Sequence, residues 1–196
     1  MVETITPVVH GGRNRRYWLS IVLHVVATTA TAALFGAALG AVGMVARAPW
    51  GDIGGWVIVG VASLYAAREL LRLPVPVPDR HKQVPEWWRT FYSPPVAATL
   101  YGVGLGIGFL TFLTFGTLVA VSIGAALAAD PLRGALIVGP FGLARGLSVT
   151  LAASALDQQA ASDLVDRIQE VGEGSIGRVV NGAALVAVAA TAALSL

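Results

Sequence analysis

Long stretches without a single charged residue constrain the fold of this sequence most strongly. Residues Tyr17 to Ala46 contain no Asp, Glu, Lys or Arg, and the same is true of Val96 to Ala129. A water-soluble helix needs a polar face, whereas about 20 consecutive apolar residues are enough to cross the hydrocarbon core of a bilayer. With 56% hydrophobic and 12% charged residues, the chain is predicted to be an all-α, multi-pass membrane protein.

The hydrophobic pattern predicts one integral membrane domain with about five or six transmembrane helices. The predicted parts are an N-terminal segment (1–16), a first hairpin (17–73), a loop (74–95), a second hairpin or three-span unit (96–156), an amphipathic helix (157–176) and a last span (179–196). The number of spans depends on Val96 to Ala129, which would be about 50 Å long as one helix and about 25 Å per helix as two. A helix broken near Gly116, a re-entrant pair and one strongly tilted helix all remain open, and at least one span is expected to be kinked or broken.

Basic residues flank the predicted spans unequally and indicate their orientation. Lys and Arg are concentrated before the first span and in the loop after the second, at Arg13, Arg15, Arg16, Arg72, Arg80, Lys82 and Arg89. The loop between the first two spans carries only Arg47. The positive-inside rule therefore predicts a plasma-membrane protein with a cytoplasmic N-terminus and a cytoplasmic loop at 74–95. Five spans would place the C-terminus outside, and six would place it inside.

The segment between the last two predicted spans has an amphipathic helical pattern. Its apolar residues recur at helical spacing, at Leu156, Ala160, Leu164, Ile168 and Val171, and the opposite face is acidic or carries amides. Gly172 and Gly174 are expected to end the helix. We expect it to lie on the membrane surface or to pack on the bundle.

Arg145 is the residue that most directly indicates a site within a span. It lies twelve positions from both Arg133 and Asp157, so it is near the middle of its apolar segment. A charged side chain there costs on the order of 3 kcal/mol or more unless it faces water, a ligand or a partner. Arg145 would then either hold an anionic substrate or make a structural ion pair or hydrogen bonds to freed carbonyls. Glu69, Asp157 and Asp130 are the candidate ion-pair partners.

Other polar or helix-breaking residues add to a predicted midplane site. Gly139 and Pro140 predict a kink or break in the span of Arg145, because proline removes a backbone donor. His24 begins a polar stripe with Thr28 and Thr31, and a second stripe contains Thr111, Thr114 and Thr117. The stripes either line a pore or bond back to the preceding helical turn. The candidate polar site consists of Arg145, Gly139, Pro140, His24, Thr111, Thr114 and Glu69.

Glycine pairs at a spacing of four residues predict close helix packing. They occur at Gly36/Gly40, Gly102/Gly106, Gly104/Gly108 and Gly142/Gly146. Small residues at this spacing allow helix backbones to approach closely in lipid, within one chain or between subunits. The predicted partners are therefore the lipid bilayer and either further copies of the chain or other membrane subunits.

Several classes of protein are disfavoured by what the sequence lacks. There is no cysteine, which excludes thiol redox chemistry and cysteine-ligated metals. No phosphate-binding loop, catalytic triad or pair of intramembrane carboxylates is recognisable, so neither an enzyme nor a bound cofactor or metal is predicted. The net charge is only +2, with the basic residues beside apolar spans, and no nucleic-acid partner is predicted.

Two pairs of segments resemble each other in the same order along the chain. Residues 34–40 resemble 100–106, and residues 55–60 resemble 134–139. A duplicated hairpin explains this pattern, as it does in many transporters. Chance recurrence of Gly, Ala, Leu and Val in membrane spans explains it equally well.

A short motif before the uncharged region resembles a known family. Phe91-Tyr92-Ser93-Pro94-Pro95 is similar to the Ser-Pro-Cys entry to a span in membrane thiol-electron carriers of the CcdA/DsbD type. The resemblance implies a small six-span bundle with an internal duplication and alternating access. Pro95 occupies the position of the reactive cysteine, so the family's electron transfer cannot operate here. What the resemblance implies is therefore a transport or accessory role.

The sequence predicts two functions. The first is a small-solute transporter or exporter, or a component of one, with a midplane site around Arg145. It is motivated by Arg145, the Gly139-Pro140 pair, the over-long uncharged region and the duplication. The second is a non-catalytic membrane subunit or assembly factor of a larger complex, motivated by the small size and the glycine-rich packing faces.

Overall fold

The structure is a computed structural model of the chain, and it describes residues 5–7, 10–12, 14–77, 87–108, 116–155 and 157–194. Every regular element in these residues is helical, which confirms the predicted all-α class. The helices are α1 (Arg15–Val45), α2 (Asp52–Leu71), α3 (Trp87–Phe91), α4 (Pro94–Gly106), α5 (Thr117–Leu127), α6 (Pro131–Leu147), α7 (Gln158–Glu173) and α8 (Ser175–Leu194). A 3₁₀ segment, Ser148–Ser154, continues α6.

Four of these helices are long and apolar enough to cross a membrane. They are α1, α2, α6 together with its 3₁₀ extension, and α8, with 31, 20, 24 and 20 residues. Large apolar side chains point away from the protein along them; for example, Leu34 is 70% exposed and Val180 is 62% exposed. Apolar surface in this amount is stable in hydrocarbon and not in water. The chain is therefore a membrane protein, with four candidate spans in its described part.

In its described residues, the uncharged region from Val96 to Ala129 contains two helices, α4 and α5. α4 has 13 residues and ends at Gly106, and α5 has 11 residues and begins directly after Gly116. Gly108 has a φ of +68°, a conformation that suits glycine and ends a helix. The alternative of one strongly tilted helix was therefore wrong. At about 20 Å and 17 Å, neither helix alone spans a hydrocarbon core of about 30 Å, so a fifth or sixth span stays a prediction.

The helix that contains Arg145 is continuous at Gly139 and Pro140, where the sequence predicted either a kink or a break. α6 runs from Pro131 to Leu147 with Pro140 inside it, so the chain stays helical on both sides of the proline. At the start of α6, Oδ1 of Asp130 accepts a hydrogen bond of 2.7 Å from the backbone N–H of Arg133. This bond satisfies one of the donors that a helix leaves free in its first turn.

The helices divide into two compact units. The first unit comprises residues 1–32, 80–112 and 139–170, and the second comprises 33–79, 113–138 and 171–196. A cluster of buried residues in the first unit contains Ile5, Tyr17, Ile21, Ala98 and Val149. A corresponding cluster in the second unit contains Ala62, Tyr65, Ala66, Ala120, Leu185 and Ala189.

In the first unit, glycines bring α4 against α1. A Cβ added at Gly102 would lie 2.6 Å from the carbonyl oxygen of His24, and one at Gly106 would lie 2.5 Å from that of Thr28. Both distances are too short for any side chain. α4 therefore packs on α1 with its backbone close to the α1 carbonyls, a type of contact common between membrane helices.

In the second unit, α2 and α8 pack against each other in opposite directions. A Cβ added at Gly182, near the start of α8, would lie 2.6 Å from a methyl carbon of Leu70 near the end of α2. Ala62 and Ala66, earlier in α2, share a buried cluster with Leu185 and Ala189, later in α8. The C-terminal end of α2 therefore lies beside the N-terminal end of α8.

This antiparallel pairing predicts that the two ends of the chain lie on opposite sides of the membrane. We expect α1 to cross the membrane and α2 to return after the short connection of residues 46–51, so that α2 ends on the side where α1 begins. α8 starts on that side and ends on the other. With a cytoplasmic N-terminus, we expect alkaline phosphatase fused after Leu196 to be active and green fluorescent protein fused there to be dark.

The same two reporters fused before Met1 are the control for this topology, and they should give the opposite pattern. A fluorescent fusion at both ends would contradict the antiparallel pairing of α2 and α8. It would also favour the arrangement in which both termini are cytoplasmic.

The amphipathic segment forms α7. Oδ1 of Asp157 accepts a hydrogen bond of 2.7 Å from the backbone N–H of Ala160, which caps the start of the helix. Ile168 is 37% exposed and Val171 is 55% exposed, so part of its apolar face is uncovered in one chain. Its position on a membrane surface stays a prediction.

Candidate functional site

Arg145 is bound to the protein backbone at the end of α4. Its Nη1 donates a hydrogen bond of 3.3 Å to the carbonyl oxygen of Leu105, and its guanidinium carbon lies 5.8 Å from the centre of the Phe141 ring. The last carbonyls of a helix lack helical donors, and a cation is favourable at this negative end of the helix dipole. The same carbonyl oxygen also accepts a hydrogen bond of 3.1 Å from the backbone N–H of Gly108, so Arg145 is a further donor to a carbonyl that is already bonded.

The three carboxylates proposed as partners of Arg145 make other contacts. Asp130 and Asp157 accept backbone N–H groups at the starts of α6 and α7. Glu69 forms an ion pair with Arg68. Each carboxylate thus has a structural role that its own neighbourhood explains.

His24 joins α1 to α4. Its side chain is buried, and its Nδ1 donates a hydrogen bond of 3.0 Å to the carbonyl oxygen of Ala98. Thr28 Oγ1 donates a bond of 2.8 Å to the carbonyl oxygen of His24, four residues earlier. For Thr28 the contact is therefore the bond to the preceding turn that was the alternative to a pore lining.

The structure brings only part of the predicted polar site together. Arg145 and His24 lie in the first unit, where both bind carbonyls of α4, and Gly139 and Pro140 belong to the same unit. Glu69 belongs to the second unit. Thr111 and Thr114 lie outside the described residues. Leu105 and Ala98 are seven positions apart on α4, about 10 Å along the helix axis. Arg145 and His24 therefore contact α4 at two separate places.

Glu69 is the centre of a polar cluster in the second unit. Its side chain is 2% exposed and pairs with Nη1 of Arg68. Its Oε1 also accepts a hydrogen bond of 3.3 Å from the backbone N–H of Gly116, which directly precedes α5. A carboxylate is favourable at this positive end of a helix, so Glu69 connects the end of α2 to the start of α5.

The segment after α2 folds back over this cluster. Nε of Arg68 donates a hydrogen bond of 2.8 Å to the carbonyl oxygen of Val75, and the hydroxyl of Tyr65 donates one of 3.2 Å to the carbonyl oxygen of Pro76. A cavity of about 250 Å³ remains beside the cluster. It is lined by Arg68, Glu69, Arg72, Leu73, Pro74, Val75 and Arg178.

The sequence did not indicate two members of this region. Arg178 on α8 lines the cavity, and Asn181 Oδ1 on the same helix accepts a hydrogen bond of 2.7 Å from the hydroxyl of Thr117. Both are far from α2 and α5 along the chain, so only the packing of α8 brings them there. The one available signal was that a basic and an amide residue open an otherwise apolar span.

Among the residues that the structure describes, no three His, Cys, Asp or Glu side chains form a group that would hold a metal ion. Three polar side chains found within or at the ends of the spans, those of Arg145, His24 and Glu69, bind backbone carbonyls, a backbone N–H group or a neighbouring side chain. Fold and site together define a class, the multi-pass α-helical membrane proteins with internally bonded polar groups.

Comparison with known proteins adds a more specific similarity. The chain is 28% identical to methylamine utilization protein MauF of Paracoccus versutus, over 98% of this chain and 70% of that protein. It is also 28% identical to the MauF protein of Paracoccus denitrificans, over 86% of this chain and 62% of that protein. No protein-family model matches the chain, and no solved structure matches it.

The similarity to MauF bears on two predictions made from the sequence, the transporter role and the resemblance to thiol-electron carriers. The names of the two relatives refer to methylamine utilization and do not mention transport. The resemblance of Phe91 to Pro95 to the thiol-electron carriers stays a prediction. In the structure, α3 ends at Phe91 and α4 begins at Pro94.

Proposed function

We propose that this chain is a non-catalytic membrane protein that assists methylamine utilization. The observation that carries the proposal is the similarity to two MauF proteins, which extends over 98% of the chain in one of them. A similarity of this extent includes the spans, the connecting segments and α7. It therefore supports a shared role for the whole membrane domain rather than for one motif.

The contacts of the intramembrane polar groups support a non-catalytic role. Arg145 binds Leu105, His24 binds Ala98, and Glu69 binds Arg68 and Gly116. Binding sites for small molecules direct a few polar groups towards a ligand. Here the corresponding groups are used to join helices.

The partner that the chain would assist is the enzyme that oxidises methylamine. A cell that uses methylamine must break its carbon–nitrogen bond, and this step requires an enzyme. We propose that the chain supports the production or operation of that enzyme from within the membrane. The partner surface would include the exposed apolar residues of α7, Ile168 and Val171.

Deletion of the gene in its source organism tests the role. We expect growth on methylamine as sole carbon source to be lost, and growth on succinate with ammonium to be unchanged. Extracts of cells exposed to methylamine should lack methylamine-oxidising activity. Uptake of radiolabelled methylamine in the first minute should match that of the parent strain.

Each outcome of the deletion separates two functions. Normal growth on methylamine would contradict a role in its utilization. Lost uptake with normal oxidising activity in extracts would favour the small-solute transporter. A purified chain that oxidises methylamine on its own would contradict the non-catalytic role.

Substitution of Arg145 tests the transporter interpretation at its central residue. Arg145→Met removes a hydrogen bond from a charged donor, so we expect a loss of stability on the order of 1–3 kcal/mol. Methylamine uptake, divided by the amount of the protein in the membrane, should stay unchanged. The control is Arg133→Met, an exposed arginine at the start of the same helix, which should change neither quantity. Abolished uptake at a normal protein level would support a substrate site at Arg145.

A further inference from the structure

We propose that the cavity between the end of α2 and the start of α8 binds a phosphate-type oxyanion. The ligand is either the headgroup phosphate of an anionic phospholipid or free phosphate. The proposal is independent of the role in methylamine utilization, because it depends only on contacts within the second unit.

The charges that line the cavity do not balance. Three arginines, Arg68, Arg72 and Arg178, line it together with one carboxylate, Glu69. Glu69 is already paired with Arg68. Within the described part of the chain, Arg72 and Arg178 form neither a hydrogen bond nor an ion pair. Among the described residues, two of the positive charges that line the cavity therefore have no carboxylate partner.

The position of Arg178 makes this arrangement costly without an anion. Arg178 is the fourth residue of α8, and a cation in the first turn of a helix is repelled by the positive end of the helix dipole. The other guanidinium groups around the cavity add to this repulsion. A bound oxyanion removes it and also interacts favourably with the free N–H groups of the first turn.

We expect the cavity to lie at the depth of the lipid phosphate groups. α2 ends here and α8 begins here, and both are candidate membrane spans, which would place the cavity near one surface of the bilayer and not at its centre. Basic pockets between transmembrane helices at this level bind lipid headgroups. Leu73 and Pro74 also line the cavity and would contact the glycerol part of a lipid.

Phosphate suits the cavity in size and in number of acceptors. A volume of about 250 Å³ corresponds to roughly eight water molecules, which leaves room for a phosphate and its first attached carbons. Guanidinium groups bind phosphate through paired N–H donors. Several phosphate oxygens are needed to satisfy Arg72 and Arg178 at once, which favours phosphate over a single carboxylate.

The test is binding to the purified full-length protein in detergent. Thermal unfolding and native mass spectrometry would compare phosphatidylglycerol, phosphatidylcholine and inorganic phosphate as added probes. For phosphatidylglycerol, we expect a rise in the unfolding temperature and retained lipid adducts. In the double variant Arg72→Gln/Arg178→Gln, affinity should fall by at least about tenfold. The double variant of two exposed arginines elsewhere, Arg133→Gln/Arg167→Gln, should bind like the natural chain.

Stabilisation by phosphatidylglycerol alone identifies the lipid headgroup as the source of the anion. Stabilisation by inorganic phosphate, lost in the same double variant, identifies the free anion. Equal binding of all probes by the natural chain and the Arg72/Arg178 variant would overturn the proposal. Circular dichroism and gel filtration of the variant show whether it is folded. If the double variant is not folded, the single variant Arg178→Gln and binding in 0.5 M salt replace it. Weaker phosphatidylglycerol binding in both supports the proposal, and unchanged binding in both overturns it.

Discussion

Arg68→Ala is expected to lower the free energy of unfolding by roughly 3 kcal/mol, within the range of about 3–5 kcal/mol measured when one partner of a buried ion pair is removed. The Glu69 side chain is 2% exposed, and the substitution leaves its carboxylate without the guanidinium that compensates its charge. The lower end of the range applies because Arg68 itself is 22% exposed. The substitution also removes the hydrogen bond from Nε of Arg68 to Val75, which holds the segment after α2 in place.

The double variant Arg68→Ala/Glu69→Ala separates the loss of the ion pair from the loss of two side chains. It should be more stable than Arg68→Ala, because no unpaired charge is left buried. Unfolding in mixed micelles of mild detergent and dodecyl sulfate measures all variants on one scale. The control is Arg167→Ala on α7, an exposed residue whose change should stay within about 0.5 kcal/mol. If Arg68→Ala behaves like Arg167→Ala, the buried ion pair is not formed in the protein.

Gly43→Ala is expected to destabilise the protein by about 3 kcal/mol or more, at the upper end of the cost of overpacking. The added Cβ would overlap the carbonyl oxygen of Ala126 and would lie 2.7 Å from its carbonyl carbon. Both atoms belong to the backbone, so the clash cannot be relieved by a rotamer change. The C-terminal part of α1 and the end of α5 would have to move apart.

Gly60→Ala is the matched control for Gly43→Ala. Gly60 lies in α2, and a Cβ added there has no atom within 4 Å. Alanine restricts the unfolded backbone and favours helix, so this variant should be more stable by about 0.5–1 kcal/mol. The two variants introduce the same methyl group with opposite expected signs. Equal effects of the two, measured by unfolding in detergent, would show that α1 and α5 are not in close contact.

The sequence predicted the polar residues inside the spans but not their contacts. Arg145 had two interpretations, and its hydrogen bond to Leu105 depends on where α4 ends, which the uncharged pattern does not reveal. Glu69 was a candidate for the site of Arg145, whereas it binds the residue next to it and the start of α5. Such pairings depend on which helices are neighbours, and a one-dimensional pattern of Gly, Ala, Leu and Val does not encode neighbours.

Some helix boundaries could be predicted from the sequence, and others were seen only in the structure. Proline and aspartate before α6 indicate its start through local chemistry, and the hydrogen bond from Arg133 to Asp130 agrees with it. The long uncharged region offered three arrangements, because every residue in it suits lipid equally well. The separation of α4 from α5 was found only in the structure.

What the sequence by itself determined is that this chain is a membrane protein with several helices long and apolar enough to cross the bilayer. Uncharged segments longer than the hydrocarbon core have no other stable environment, since every backbone polar group in lipid must be bonded within a helix or a closed barrel. The tertiary structure alone decided that α2 and α8 pair in opposite directions, and so brought Arg178 beside Arg68 and Arg72. That cavity joins residues from distant parts of the chain, and only packing between helices determines which of them meet.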